Sequence, residues 1–204
     1  MLGDAVGEGR ACALKCDVSS EEQVRAAVEA ATVRFGGLTV LCSVAGGSSP
    51  RDGKVTEASI EEFRRVIGVD LFGTFLVCRF GIPELVKAGG GAVVNFSSVA
   101  ALMALLDRDC YTAAKGGVSA LTRSMAYNFG PAGIRVNAIA PGATMAPRIQ
   151  ALQTGEHVQQ AQSRQVLGNV YPVDIAELAV FLASAEASHL TGQIIPVDSG
   201  LTIS

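Results

Sequence analysis

Short apolar runs alternate with longer amphipathic stretches along this chain, and that alternation predicts an α/β fold. The runs that predict strands are 11–16, 38–42, 92–96, 134–140 and 193–197. A run as short and as apolar as 92–96 suits a central strand of a parallel sheet, which is buried on both faces. Regular alternation of strand and helix favours parallel strands joined by right-handed crossovers.

Helical spacing of apolar residues occupies the intervals between these runs. It predicts helices over about 20–35, 60–88, 109–129 and 174–183. The first helix begins with a predicted capping box, Ser19 with Glu22, and the third has Asp109 as its predicted N-cap. Three glycines interrupt the second helix and predict a kink or a close helix contact; they are Gly68, Gly73 and Gly81.

Composition narrows the class of protein. A length of 204 residues fits one domain, 1–204, with a sizeable core. Hydrophobic residues make up 49 %, yet no uninterrupted apolar run is long enough to span a bilayer. A net charge of −3 argues against nucleic-acid binding. Five cysteines without a C-x-x-C pair predict buried, reduced thiols. The thiols and the absence of a signal-peptide pattern predict a cytoplasmic protein. Two isolated histidines predict no metal site.

The densest candidate chemistry lies between the predicted strand 92–96 and the helix that follows it. Ser97 and Ser98 end the strand, and Tyr111 and Lys115 are four residues apart on the helix. Positions i and i+4 lie on one face of a helix, so an ammonium beside the phenol would favour the phenolate. A tyrosine tuned in this way exchanges a proton with an alcohol. Alone, the pair also fits a half-buried tyrosine beside a solvated lysine.

Ser98, Tyr111 and Lys115 together resemble the catalytic set of the short-chain dehydrogenase/reductase family. Further stretches match that family in the same order, from about residue 11 to residue 202. The resemblance implies a three-layer, Rossmann-type, doubly wound parallel sheet. It also implies an NAD- or NADP-dependent oxidoreductase, in which Tyr111 is the general acid/base and Lys115 lowers the pKa of Tyr111 and binds the nicotinamide ribose. Ser98 would hold the substrate oxygen.

The same resemblance implies residues that line the cofactor. The segment Ser43-Val44-Ala45-Gly46 stands where the family has Asn-Asn-Ala-Gly, and otherwise it is an ordinary loop of small residues. Asp17, followed by Val18, would accept from the adenine amino group or would simply be an acid at a helix start. The implied nicotinamide loop contains Pro141, Gly142 and Thr144, with Ala146 where a threonine is usual.

Asp70 stands where the family has an asparagine of the proton relay. A buried carboxylate there would pair with Lys115 or have a raised pKa. The site then relays protons through a carboxylate, or it is weakened. Cys110, next to Tyr111, is predicted to pack rather than react.

The family's first two strands and its glycine-rich phosphate-binding turn have no match in this sequence. Gly3, Gly7 and Gly9 have neither a strand before them nor an apolar helix after them. Without those strands, 38–42 is predicted to be an open edge with an apolar face. Either a longer chain supplies the missing strands, or the run 11–16 moves across to pair with 38–42.

The predicted function is hydride transfer between NAD or NADP and a small-molecule secondary alcohol or ketone. The alternative is a truncated, catalytically silent member of the family that acts only as a dimerising protein. Small residues on the helix 109–129 and the glycines of the helix 60–88 predict a homodimer or homotetramer, and residues 143–170 are predicted to form the substrate pocket. No nucleic-acid or membrane partner is predicted.

Overall fold

Four parallel strands form one sheet at the centre of the molecule. The computed structural model describes residues 9–147 and 162–203. Within them the strands follow the order β1 (Val40–Ser43), β2 (Gly91–Phe96), β3 (Ile134–Pro141) and β4 (Ile194–Val197). Each strand lies beside the next one in the chain, and Val40 pairs with Ala92 at the start of the register. The predicted runs 38–42, 92–96, 134–140 and 193–197 are therefore strands, with ends shifted by at most two residues.

Five α-helices cover the sheet within the described residues. They are α1 (Glu21–Phe35), α2 (Ile60–Val66), α3 (Gly73–Lys87), α4 (Asp109–Phe129) and α5 (Pro172–Ala183). A π-helical segment, Ile67–Phe72, joins α2 to α3 without a break. Gly68, one of the three glycines predicted to mark a kink or a close contact, lies in this segment, where a π-turn interrupts the regular helical ladder.

The sheet separates two apolar clusters, so the domain has three layers. On one face, Val93 and Val136 pack with side chains from α3 and α4. On the other face, Val94 and Ile139 pack with side chains from α5. Neighbouring residues of a strand point to opposite faces, which explains why Val93 and Val94 belong to different clusters. The predicted α/β class and the three-layer arrangement are confirmed.

The predicted strand at 11–16 is wrong. These residues have no regular secondary structure, and four of them, 12–15, are exposed. In the part of the chain that the structure describes, β1 pairs only with β2, so the run 11–16 has not moved across to join it. An extended segment without a neighbouring ladder leaves its backbone groups to water, which explains why the apolar pattern alone does not make a strand.

Among the described residues no strand pairs with the outer edge of β1, so this edge is open there, as the sequence predicts. Leu41 and Ser43 are buried, whereas Val40 and Cys42 are exposed on the other side of the strand. The thiols do not all share the predicted burial, because Cys12 and Cys42 are exposed and only Cys78 and Cys110 are buried. All five cysteines are free thiols.

Two predicted helix starts differ in the structure. Ser20 rather than Ser19 is the N-cap of α1, and its hydroxyl accepts from the backbone N–H of Gln23. Arg108 rather than Asp109 stands at the N-cap of α4. In both cases the predicted residue uses its side chain elsewhere: Ser19 donates to Asp17, and Asp109 accepts from the backbone of Val55.

The continuous helix from Ile60 to Lys87 is long and apolar enough to cross a membrane, with a mean hydropathy of 1.6 over 18 residues. Its packing gives another reason for that composition. The α3 part contacts β1, β2 and α1, and Leu76 and Leu85 are fully buried within the molecule. Core helices of folded domains are apolar for the same reason.

Candidate active site

The candidate site lies at the carboxyl-terminal edge of the sheet. All four strands are parallel, so the loops after β1, β2 and β3 leave from the same edge. Ligands bind at this edge in open α/β sheets. The loop Ser43–Gly47, the serine pair after β2 and the turn Pro141–Gly142 therefore all open towards one region.

Lys115 crosses from α4 to the end of β2. Its Nζ lies 5.5 Å from the centre of the Tyr111 ring. The same Nζ donates to the backbone oxygen of Phe96 at 2.9 Å. Only 3 % of Lys115 is exposed, while Tyr111 is half-buried. The two side chains therefore share one face of the helix, as their spacing predicts.

Asp70 brings a carboxylate to the same ammonium. Its Oδ1 lies 3.1 Å from Lys115 Nζ and accepts from the backbone N–H of Gly47 at 2.9 Å. Asp70 is fully buried, and its Oδ2 makes no hydrogen bond to any of the described residues. Of the predicted alternatives for this residue, the structure shows pairing with Lys115.

Gly46 is required by this arrangement. Its φ is +151°, a region that favours glycine. A Cβ at this position would overlap the Asp70 carboxylate. In the loop after β1, position 46 must therefore be a glycine for steric reasons. The sequence alone does not distinguish this position from one in an ordinary loop.

The two serines after β2 have different partners. Ser98 is buried and caps a short 3₁₀ helix, Val99–Ala101, that contacts α4. Its hydroxyl accepts from the backbone N–H of Ala100. Ser97 instead bonds to the hydroxyl of Ser119 at 2.7 Å and to the backbone oxygen of Lys115 at 3.2 Å. Ser97 therefore holds α4 against β2. Ser98 lies after the end of β2, immediately before the 3₁₀ helix that contacts α4.

Asp52 is a residue of the site that the sequence analysis missed. Its two carboxylate oxygens accept from the backbone N–H groups of Cys110 at 3.1 Å and Tyr111 at 3.0 Å. It thereby satisfies the free donors at the start of α4, the role predicted for Asp109. The partners are 58 and 59 residues apart, so no local pattern could have paired them.

Cys110 itself is buried among Val66 and Ala114. Burial raises the pKa of its thiol to about 11, helped by the neighbouring Asp52 carboxylate. A thiol in this state is protonated and poorly nucleophilic near neutral pH. The predicted packing role is consistent with this environment.

Several residues that the resemblance places along the cofactor surround a cavity of about 180 Å³. Val18, Ser43, Ala45 and Thr74 are among the residues that line it. Asp17 lies just before them, and its carboxylate accepts from the backbone N–H and hydroxyl of Ser19, hydrogen bonds that lower the pKa of Asp17. Asp17 is exposed.

Ser43 tests whether this cavity suits a polar ligand. Its hydroxyl is buried and makes no well-formed hydrogen bond to the described residues. The thiol of Cys78 lies near the Ser43 hydroxyl, but a thiol is only a weak hydrogen-bonding group. A buried hydroxyl with unused capacity at the cavity wall fits a ligand that carries polar groups.

The turn after β3 is held from two sides. The backbone N–H of Gly142 donates to Val197 of β4 at 2.9 Å, and Thr144 and Met145 pair with Val170. Gly142 has no room for a side chain, because a Cβ would lie 2.9 Å from the Cα of Asp198. Of the predicted substrate pocket, residues 148–161 lie outside the described residues.

A larger groove of about 350 Å³ lies between α1 and α3, away from these residues. Two of its cations are already paired, Arg25 with Glu21 and Lys87 with Glu84. Among the described residues, no group of three or more histidine, cysteine or carboxylate side chains is placed to hold a metal ion.

Comparison with known proteins identifies the family. Residues 2–202 match a family model described as enoyl-(acyl carrier protein) reductase. The chain is 38 % identical to cis-4-hydroxycyclohexanecarboxylate dehydrogenase of Sinomonas cyclohexanicum, over 95 % of this chain and 77 % of that protein.

Solved structures agree with the sequence matches. A short-chain type dehydrogenase/reductase from Mycobacterium ulcerans superposes with a TM-score of 0.87 at 31 % identity, covering 92 % of this chain and 69 % of that one. A 7α-hydroxysteroid dehydrogenase in complex with NADH and 7-oxo glycochenodeoxycholic acid superposes with a TM-score of 0.84 at 32 % identity, covering 92 % and 72 %. A third solved structure, ElxO with NADP bound, superposes with a TM-score of 0.87 at 28 % identity, covering 94 % of this chain and 78 % of that one. The chain belongs to the short-chain dehydrogenase/reductase family of NAD(P)-dependent oxidoreductases.

Proposed function

We propose that this protein transfers a hydride between NAD or NADP and a small-molecule secondary alcohol or ketone. The observation that carries the proposal is the placement of Lys115, which is buried between the Tyr111 ring, the end of β2 and Asp70. A buried ammonium beside a phenol is an arrangement suited to proton transfer at an alcohol or carbonyl oxygen. The catalytically silent alternative finds no support in the relatives, which are named as dehydrogenases.

Three side chains would act on the reacting group. Tyr111 would hold the proton that moves to or from the substrate oxygen. Lys115 would stand beside the phenol and bind the nicotinamide ribose. Ser98 would give a hydrogen bond to the same substrate oxygen, since it lies at the strand end beside α4.

The dinucleotide, when bound, would supply or accept the hydride. Its nicotinamide end would be held by the turn residues Pro141, Gly142 and Thr144, and its adenine end by Asp17, Val18 and the loop Ser43–Gly46. Support comes from the buried Ser43 hydroxyl and from the steric exclusion of side chains at Gly46 and Gly142. Asp70 would hold a place in the proton relay through its ion pair with Lys115.

The substrate class proposed is a ring-borne secondary alcohol or the matching ketone. The relatives' names denote a hydroxylated cyclohexane carboxylate and a hydroxysteroid. We further propose that 1–204 form one domain of a soluble, cytoplasmic homo-oligomer. Apolar side chains exposed on α2, α3 and the π-helical segment between them support the oligomer.

Replacement of Tyr111 tests this function. The chain is assayed for oxidation of cis- and trans-4-hydroxycyclohexanecarboxylate and other secondary alcohols, by absorbance of the reduced nicotinamide. Y111F should lower kcat by about 10²–10⁴-fold, because the proton donor is lost. The matched control is Y127F, on the same helix, whose side chain is 87 % exposed and should be dispensable. Equal activity of Y111F and the wild type would refute the proposal.

A further inference from the structure

Asp70 puts a full negative charge where an amide would put none. Its carboxylate bonds to Lys115 Nζ at 3.1 Å and to the Gly47 N–H at 2.9 Å, both through Oδ1. The other oxygen, Oδ2, is buried and receives no hydrogen bond from the described residues. An asparagine could accept from the same N–H through its oxygen, so the hydrogen-bond geometry does not require the charge.

The ion pair lies where solvent does not screen it. Lys115 is 3 % exposed and Asp70 is fully buried. Charges in such surroundings act on their neighbours more strongly than they do at the surface. Tyr111, with its ring centre 5.5 Å from the ammonium, is close enough to sense whether Lys115 is neutralised.

Other charges around α4 largely satisfy one another or are fixed by the backbone. Glu62 is bonded bidentately by Arg65, at 2.9 and 2.6 Å, and Arg51 approaches it at 3.2 Å. Two carboxylates at the start of the helix accept from backbone N–H groups. Among the described residues, the charged groups that act on Cys110, Arg65 or Lys115 in this region include Asp52, Asp109, Glu62, Arg65, Asp70 and Lys115.

We propose that Asp70 neutralises Lys115 and so keeps the Tyr111 phenol protonated across the neutral pH range. In the proposed function, on which this consequence rests, the protonated phenol gives its proton to a carbonyl oxygen while the carbonyl carbon receives the hydride. The phenolate that remains is reprotonated from solvent. Alcohol oxidation needs the phenolate from the outset, so it is displaced to alkaline pH. Asp70 therefore sets the pH range in which the phenolate needed for alcohol oxidation appears.

The test follows ionisation of Tyr111 directly, without substrate or cofactor. Tyrosinate absorbance is titrated in the wild type and in D70N, and each is compared with the same protein carrying Y111F. The difference isolates Tyr111 from Tyr127 and Tyr171, the other tyrosines of the chain. D70N should lower the titration midpoint of Tyr111 by about one pH unit or more, because the ammonium is then unopposed. An unchanged or raised midpoint would overturn the proposal.

A double variant shows whether the effect passes through Lys115. In a K115M background, D70N should no longer lower the midpoint, since there is no ammonium to release. A drop of the same size in that background would contradict the mechanism. Circular dichroism across the titration verifies that each variant stays folded.

The wild type alone provides a second measurement in case D70N does not fold. Its Tyr111 should stay protonated through neutral pH and ionise only in the alkaline range. A midpoint near neutrality would overturn the proposal. Neither titration needs turnover. The titrations can therefore support the inference about Asp70 even if the alcohol assay refutes the proposed function, and they can refute the inference even if the assay supports that function. Where turnover is measurable, D70N should also move the pH profile of alcohol oxidation to lower pH.

Discussion

Lys115 and Glu62 are buried charges, and each has a charged partner within hydrogen-bonding distance. Lys115 bonds to a carboxylate and a backbone carbonyl. Glu62, 2 % exposed, is bonded by Arg65 and approached by Arg51. Burial of an unpaired charge is strongly unfavourable, so each group depends on its partners. Removing one member of such a pair should therefore lower the free energy of unfolding by more than the interaction energy of the pair, because a buried charge is left unpaired.

Glu62 gives a pH-dependent prediction. Hydrogen bonds from Arg65 lower the pKa of Glu62 to about 2. Since this pKa lies below that of the unfolded chain, the stabilisation is complete above the unfolded value and disappears as the pH falls through the folded value. E62Q should lower the free energy of unfolding by about 2 kcal/mol at pH 7. Urea unfolding should show the difference shrinking between about pH 4.5 and pH 2.

The matched control for this prediction is E61Q, because Glu61 is the neighbouring carboxylate and is exposed. Its effect on unfolding should be small at every pH. A loss of stability in E62Q that is the same at pH 7 and pH 2 would mean that the Glu62 charge is not its source.

Among the elements, α4 is held to the sheet by buried polar contacts as well as apolar packing. Asn95 of β2 donates to the hydroxyl of Thr122 at 3.0 Å, and Ser97 bonds to Ser119. Asp52 holds the first turn. Polar contacts are directional, so they fix the rotation and height of the helix more narrowly than apolar packing does. The position of Tyr111 at the strand end follows from these contacts.

Gly73 of α3 packs closely against Val18, in the loop before α1, and this contact predicts the effect of adding a side chain at position 73. A Cβ at Gly73 would lie 2.9 Å from Cγ2 and 3.1 Å from Cβ of Val18. G73A should therefore lower the free energy of unfolding by about 1–2 kcal/mol, because overpacking outweighs the gain in helix propensity. In a V18A background the loss should be smaller. Thermal and urea unfolding of the single and double variants measure it.

Gly116 of α4 is the control, since a Cβ there would meet nothing within 4 Å in the protomer. G116A should leave stability unchanged or raise it by up to about 1 kcal/mol. If G73A proved as stable as G116A, the contact with Val18 would not restrict this position.

The whole molecule exposes more large apolar side chains than its internal packing explains. Phe72 and Phe75 stack with ring centres 6.2 Å apart, and both are more than 40 % exposed. Ile60 and Phe63, on α2, are also exposed. Contiguous exposed apolar surface often marks a protein interface. It fits the expectation that this helical layer packs against a second copy of the chain.

Sedimentation tests that expectation. The wild type should be a dimer or tetramer at micromolar concentration, and a double variant with F72S and F75S should shift towards the monomer, because aromatic side chains contribute strongly at interface centres. V33S is the control, since Val33 is 86 % exposed but lies on α1. A folded wild-type monomer at that concentration would refute the predicted assembly.

Local patterns in the sequence determined the class of fold and the shared helix face of Tyr111 and Lys115. The apolar runs of β2 and β3 are buried on both faces, so their pattern and their environment agree. Tyr111 and Lys115 share a helix face because α-helical geometry alone relates positions four residues apart. The sequence also marked Gly73 and Gly81 as positions of a kink or a close helix contact; in the structure their close contacts are with Val18 of a loop and Leu41 of β1.

Only the tertiary structure decided the features that join distant segments. The cap that Asp52 provides, the pairing of Asp70 with Lys115 and the steric need for Gly46 each depend on where separate elements come to rest. The run 11–16 has a strand-like pattern but no ladder in the structure. A strand needs a neighbour to bond, and a buried charge needs a partner in space. The residues adjacent in sequence show neither the neighbouring strand nor the partner charge.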